Sequence, residues 1–204
     1  MFGKFLASYR LSDSPSATSR PTDPSADDVQ GFADFMSRFA GATFEEGLYR
    51  VHTTASTAKA NEIVREAFPA FSERIICFGF DWLGGEFSLD SARRERGEPL
   101  VLMFEPGTGE ALEVDATFER FHEVELVEFS DAAVARGFFN EWAAKNAESL
   151  PLAFHDCVGY RVPPLPWRRR RGGESGGDRS GCVLDALRPA KQRNTSSSRR
   201  GAGE

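Results

Sequence analysis

The sequence predicts an α+β fold in which a central, mainly antiparallel sheet is flanked by helices. Strand-like segments are grouped between Arg74 and Asp115, where apolar runs are separated by turn signals at Gly84-Gly85 and at Pro106–Gly109. Helical periodicity occurs before and after this stretch, not within it. That grouping favours an α+β arrangement over a repeated βαβ unit.

The first part of the chain predicts three helices and one strand. The N-terminal residues carry an apolar stripe at helical spacing, and residues 11–27 are rich in Ser, Pro, Asp and Thr, which is typical of a flexible linker. Asp27 and Asp28 are placed to open a second helix that stops at Gly41. The alternating segment 47–52 predicts a strand, and residues 56–67 predict a third helix.

The remaining elements are predicted from the same two patterns, helical spacing of apolar residues and strand alternation. The predicted segments are, in chain order, strands at 74–80, 86–89, 99–104 and 110–114, with a charged loop at 91–98. Residues 118–129 are ambiguous. Ser130 and Asp131 cap a last helix that extends to about Asn146, and residues 156–162 predict a final strand.

Charge divides the chain into an acidic body and a basic tail. Residues 1–162 contain 27 acidic and 15 basic side chains, a net charge of −12, whereas residues 163–204 have a net charge of +6. The acidic body repels nucleic acid and favours basic partners. We therefore expect a helix and linker at 1–27, one α+β domain at 28–162, and a disordered Arg/Gly/Ser-rich tail at 163–204.

Residue types that carry chemistry are present, but their spacing does not define a site. Three cysteines at wide spacing argue against a disulfide framework, and Cys77 in its apolar run is expected to be a buried hydrophobic residue. His155, Asp156 and Cys157 are consecutive, so in a strand their side chains alternate between faces. No short Cys/His spacing typical of zinc occurs, and we expect neither metal nor cofactor. Cysteine usage and the lack of a signal-peptide core or membrane-length apolar run predict a cytoplasmic location.

The carboxylates of the predicted hairpin allow three interpretations. Glu105, Glu110, Glu113 and Asp115 could form an acid/base pair, the solvated face of an antiparallel hairpin, or a docking surface for a basic protein.

Several motifs together resemble a known family. The segments Asp81-Trp82-Leu83-Gly84, Phe104-Glu105-Pro106-Gly107-Thr108-Gly109 and Cys157-Val158-Gly159-Tyr160 are similar to the C-terminal domain family of type VI secretion immunity proteins, which neutralise a DNase effector. The resemblance spans roughly residues 47–163. It implies a small intracellular α+β protein that binds a toxin and has no catalytic residue.

The chain departs from that family after Pro163, where ordered, apolar sequence is replaced by PPLPWRRRRGGESGGDRSG. The abrupt switch in composition suggests the hypothesis that the tail is an out-of-frame reading of a GC-rich gene.

These observations predict a non-enzymatic binding protein that occludes a cognate, basic toxin, with no membrane and no specific nucleic acid as partner. The expected partner-binding residues are exposed acids near the sheet turns: Asp81, Glu86, Glu105, Glu110 and Glu113. Trp82 is either an aromatic anchor for the partner or a core residue. The alternatives are a small hydrolase that uses Cys157 or His155, and a nucleic-acid-associated protein that acts through the basic run Arg168–Arg171.

Overall fold

Seven strands form one antiparallel sheet in the part of the chain that the structure describes, and each strand pairs with its neighbours in sequence. The structure is a computed structural model that describes residues 1–13, 26 and 28–159. The strands are β1 (Leu11–Asp13), β2 (Thr43–Phe44), β3 (Tyr49–Val51), β4 (Ile75–Asp81), β5 (Glu86–Glu95), β6 (Glu98–Glu105) and β7 (Glu110–Thr117). The fold is α+β, as the sequence predicts.

Among the described residues, one α-helix precedes the first strand, two lie between strands and four follow the last strand. They are α1 (Gly3–Ser8), α2 (Phe32–Phe39), α3 (Thr54–Ala67), α4 (Phe118–Arg120), α5 (Leu126–Glu128), α6 (Ser130–Val134) and α7 (Arg136–Lys145). A π-helical stretch, Phe121–Glu125, joins α4 to α5, and short 3-10 turns lie at Glu45–Gly47, Pro69–Phe71 and Ala147–Ser149.

The sheet is covered on both faces, and β4 shows this most directly because all seven of its residues are buried. Ile76 and Phe78 point into a large cluster formed with α1, α2 and the helices that follow β7. Ile75 and Cys77 point into a smaller cluster closed by α3 and by the segment around Phe154. The predicted burial of Cys77 is therefore confirmed.

Rings dominate the larger cluster, and a histidine lies among them. His122 is fully buried between Phe35, at 4.2 Å between ring centroids, and Phe118, at 4.5 Å. The N-terminal helix adds Phe5 at 5.3 Å. Edge-on and tilted ring pairs of this kind contribute beyond their buried area, so α1 is part of the core.

Two predictions about the N-terminal third need correction. Residues 11–13 are not linker but strand β1, because the N–H of Glu45 donates to the carbonyl of Arg10 and that of Glu46 to the hydroxyl of Ser12. The second helix begins at Phe32 after Gly31, not at Asp28. The rest of the predicted linker, apart from Ala26, lies outside the described residues.

The predicted charged loop at 91–98 is also wrong, since β5 continues to Glu95 and β6 starts at Glu98. Arg96 and Gly97 both have positive φ, 52° and 90°, and form the two-residue turn between the strands. A two-residue turn of this hand matches the twist of an antiparallel hairpin. The charged side chains of this extension are mostly exposed, so strand pairing does not bury them.

The C-terminal predictions are partly corrected. The helix expected from Ser130 to Asn146 is broken at Ala135, whose φ of 50° separates α6 from α7. Residues 156–158 are not strand, although a single bridge occurs at Gly159. The predictions for residues 160–204, including the disordered tail, its reading frame and the basic run at 168–171, fall outside the described residues.

Candidate partner-binding surface

The six residues predicted to bind a partner fall into two groups. Asp81, Trp82 and Glu86 are 1%, 0% and 1% exposed, so the expectation that the two acids are on the surface is wrong. Glu105, Glu110 and Glu113 belong to the β6–β7 hairpin and do reach the surface. The candidate surface therefore reduces to the hairpin.

Asp81 is buried because its carboxylate builds the turn between β4 and β5. Its Oδ1 accepts hydrogen bonds from the N–H groups of Leu83, at 2.9 Å, and Gly85, at 2.7 Å. Burial raises the pKa of Asp81 to about 7, although the two backbone donors and Arg50 act in the opposite direction. A side chain at Gly85 would collide with this carboxylate, at 2.9 Å from its Oδ2. The Asp-Trp-Leu-Gly-Gly segment is thus a turn motif.

Trp82 is a core residue. Because it is fully buried, it is not exposed as an aromatic anchor for a partner would be. Its ring packs against Phe139 at 5.2 Å and Trp142 at 5.7 Å, and its indole N–H donates to the carbonyl of Val134 at 3.0 Å. The ring of Trp82 is buried against α7, and its indole N–H is bonded to α6. Trp82 therefore holds α6 and α7 against the end of β4.

Glu86 lies in a buried polar network under the start of α3. Its Oε1 is 2.5 Å from Nε2 of His52, whose Nδ1 is 2.9 Å from the hydroxyl of Ser56. Burial raises the pKa of Glu86, and His52 partly offsets this effect. The order of groups is that of a Ser–His–acid triad. However, the Ser56 hydroxyl also accepts from the N–H of Thr53 at 2.8 Å in the capping box of α3, which gives the network a structural role.

Arg50 accounts for the position of the C-terminal segment that carries Cys157. Its guanidinium is fully buried and stacks 4.6 Å over the ring of Phe80. It donates to the carbonyl oxygens of Ala153, Phe154 and Asp156, and to that of Asp81 at 3.2 Å.

The residues considered for nucleophilic chemistry lie in that same segment. Cys157 is buried beside Arg50, with its Sγ 3.9 Å from Nη2, whereas His155 is exposed and its ring packs edge-on against Phe154 at 5.1 Å. The part of the chain that the structure describes has no group of three or more His, Cys, Asp or Glu side chains suited to a metal ion.

The β6–β7 hairpin places its carboxylates in different roles. Glu105 is half-buried and caps the turn, accepting from the N–H groups of Gly107 at 2.8 Å and Thr108 at 2.6 Å. Glu110 opens β7 and is exposed, and the side chain of Glu113 is 65% exposed. Glu105 therefore shapes the turn, while the acids of β7 are available to a partner.

One cation already lies beside the acids of β7. Arg93 places its Nη2 2.8 Å from the carboxylate of Asp115 and its Nε 3.4 Å from that of Glu113. Its Nη1 donates to the carbonyl of Val101 at 3.1 Å, which fixes the guanidinium over β6. Two carboxylates two residues apart on one face of a strand thus accommodate a guanidinium group.

β7 is the last strand of the sheet, and across residues 1–13, 26 and 28–159 no strand pairs with its outer edge. Such an edge presents unpaired backbone N–H and C=O groups. Leu112, on the opposite face from Glu113, is 42% exposed although it belongs to the sheet. The candidate surface, called here the β7 edge, consists of Glu110, Leu112, Glu113, Val114 and Asp115 with the backbone of β7.

Sequence reasoning missed the contributions of Arg93 and Leu112. Arg93 lies in the segment predicted as a loop, and its position beside two carboxylates 20 residues or more away in sequence has no local signal. Leu112 has an apolar side chain at an alternating position, and only the position of β7 at the end of the sheet leaves it exposed.

No protein-family model matches the chain. A search of curated proteins also finds no significant match. Within the described ranges, none of the helices combines the length and the apolar character needed to cross a bilayer.

Proposed function

We propose that this protein is a non-enzymatic, cytoplasmic binding protein that neutralises a basic cognate toxin by occluding it. The observation that carries the proposal is the β7 edge, where three exposed carboxylates lie on a strand whose outer edge has no partner in the described part of the chain. A nuclease or other toxin that binds phosphates needs a basic cleft, and an acidic surface competes for it. The resemblance to type VI secretion immunity proteins supports the same function.

The charge of the body favours fast capture of a basic partner. Residues 1–162 have a net charge of −12, and many of their acids are exposed. Long-range attraction of this kind raises association rates and weakens with salt. We therefore expect the complex to form several-fold more slowly when ionic strength is raised from low salt to physiological salt or above.

Co-expression with the product of the neighbouring gene tests the proposal. If that product is a basic toxin, we expect the full chain to restore growth of the host and to co-purify with it. Glu110→Lys combined with Glu113→Lys should weaken both effects. The matched control is Glu141→Lys with Glu148→Lys, which changes the net charge equally at exposed sites near the end of α7. Absence of rescue and of a complex with the wild-type chain would contradict the proposal.

A hydrolase is the second candidate, because Ser56, His52 and Glu86 lie within hydrogen-bond distance of one another. In this arrangement His52 could take the proton of the Ser56 hydroxyl while Glu86 orients the imidazole. A fluorophosphonate probe separates the two candidates. Labelling of the native chain that is lost in Ser56→Ala would favour the hydrolase, and we expect no such labelling.

A further inference from the structure

We infer that the β7 edge binds its partner by strand addition, and that the partner segment is an extended strand with Lys or Arg at alternate positions. The inference deepens the proposed function and rests on it for the class of partner. It starts from the eight residues of β7, which pair only with β6 in the described part of the chain. An added strand would satisfy the outer row of backbone groups.

The two faces of β7 specify the side chains of that strand. Glu113 and Asp115 lie on one face, and Asp115 is 92% exposed. Leu112 and Val114 lie on the other face, where Val114 packs against the larger cluster and Leu112 is 42% exposed. Opposite charges and apolar pairs across neighbouring strands are each favourable. A complementary strand therefore alternates basic and apolar residues over at least four positions.

Charge argues against a second copy of this chain as the occupant. Two β7 strands placed side by side would bring Glu110, Glu113 and Asp115 of each copy close to the same acids of the other. Like charges across neighbouring strands are destabilising, and charged side chains on an edge strand discourage self-association. The edge thus disfavours self-pairing and favours a basic strand.

Arg93 shows that a cation fits at this position and also competes with an incoming one. Its guanidinium contacts the carboxylates of both Glu113 and Asp115. Removing that charge leaves the two acids available to the partner. We therefore expect Arg93→Gln to bind a basic strand more tightly than wild type does, by about two- to fivefold, the range of a partly exposed ion pair.

The test measures binding of the full chain to a fluorescein-labelled (Lys-Val)4 peptide by fluorescence anisotropy. The expected order of affinity is Arg93→Gln, then wild type, then Glu110→Lys/Glu113→Lys, with no binding of (Glu-Val)4. Arg120→Gln is the matched control, because it removes one exposed cation next to Glu125 and lies outside β7. It should leave the affinity within about twofold of wild type.

Three results would overturn the inference. The first is equal affinity of wild type and Arg93→Gln for the peptide. The second is an increase in the affinity of Arg120→Gln as large as that of Arg93→Gln. The third is a concentration-dependent dimer of the wild-type chain in sedimentation that is lost in Glu110→Lys/Glu113→Lys, because β7 would then pair with a second copy.

Failure of the inference can be told apart from failure of the proposed function. If the toxin is neutralised but Glu110→Lys/Glu113→Lys has no effect, strand addition at β7 is wrong and the binding function stands. If the peptide binds in the expected order but no toxin is neutralised, the edge is a binding site and the toxin function is wrong.

Discussion

The hydroxyl of Tyr49 and the Nε2 atom of His122 lie 3.0 Å apart in the aromatic core. The Nδ1 atom of His122 is 2.9 Å from the carbonyl of Phe118, which can only accept, so Nδ1 carries the proton and Nε2 accepts from Tyr49. Both side chains are fully buried. This pair joins β3 to the helix that follows β7 with every ring heteroatom satisfied.

Tyr49→Phe should destabilise the fold, because it leaves the Nε2 acceptor of His122 buried and unpaired. We expect a loss of about 1–3 kcal/mol in the free energy of unfolding, measured by urea denaturation. Tyr49→Phe/His122→Phe removes both polar partners and should lose less than the sum of the two single variants. Additive losses would show that the hydrogen bond contributes nothing.

Burial of His122 makes the stability of the protein depend on pH. Burial lowers the pKa of His122 to about 3, whereas an unfolded histidine has a pKa of about 6.5. Below about pH 6.5 the unfolded chain takes up a proton that the folded chain does not, so stability falls as pH falls toward 3. The slope from this group approaches about 1.4 kcal/mol per pH unit.

His122→Gln should reduce that slope between about pH 4 and pH 6 in urea titrations. The difference between wild type and variant isolates this group, because the other titrating groups are common to both. Equal slopes would mean that His122 is protonated in the folded chain.

Asp81 should act in the opposite direction. Its folded pKa of about 7 lies above that of an unfolded aspartate, so its contribution is fully present below about pH 4 and is lost as pH rises through 7. Between about pH 5 and pH 8 this loss amounts to about 3 kcal/mol.

Asp81→Asn keeps an oxygen acceptor for Leu83 and Gly85 but cannot ionise. The variant should therefore lose less stability than wild type over the same pH range. Asp34→Asn, on the exposed side of α2, is the control and should follow wild type. An Asp81→Asn variant with the same pH profile as wild type would refute the raised pKa.

Removing the guanidinium of Arg50 should release the C-terminal segment. Arg50→Met removes a donor from the carbonyls of Ala153, Phe154 and Asp156, of which Ala153 keeps the N–H of Asp156. We expect a loss of about 3 kcal/mol or more in the free energy of unfolding, together with faster proteolysis after residue 150. Arg38→Met, on the exposed side of α2, should change neither the free energy of unfolding nor the rate of proteolysis. Unchanged proteolysis in Arg50→Met would show that other contacts hold the segment.

The sequence was informative wherever periodicity reports burial. Apolar stripes located α1 and α3, and the turn residues Gly84-Gly85 and Pro106–Gly109 located the hairpins. It was misleading where charged residues enter a strand, because Arg94 and Glu95 extend β5 through backbone pairing and keep their side chains in solvent. Residues 11–13 also form a strand although their side chains are exposed, because their backbone pairs with β2.

The candidate surface could be predicted only in part. Glu110 follows the turn directly, and Glu113 and Asp115 alternate with Leu112 and Val114, which is a local signal for an exposed face. Asp81 and Glu86 have the same polarity, but their burial depends on backbone donors and on His52 34 residues away from Glu86. The local sequence does not indicate such distant partners. Buried acids that stabilise turns and exposed acids therefore cannot be distinguished from the sequence pattern alone.

Hydrogen exchange of the full chain, measured residue by residue in the presence of (Lys-Val)4, tests strand addition at β7 most directly. The account predicts slower exchange confined to amides in Glu110–Thr117, because the added strand pairs with the outer row of backbone groups. A (Lys-Val)4 peptide with a methyl group on every backbone nitrogen keeps the charges and lacks the donors. Equal protection by both peptides, or protection by neither, would contradict strand addition.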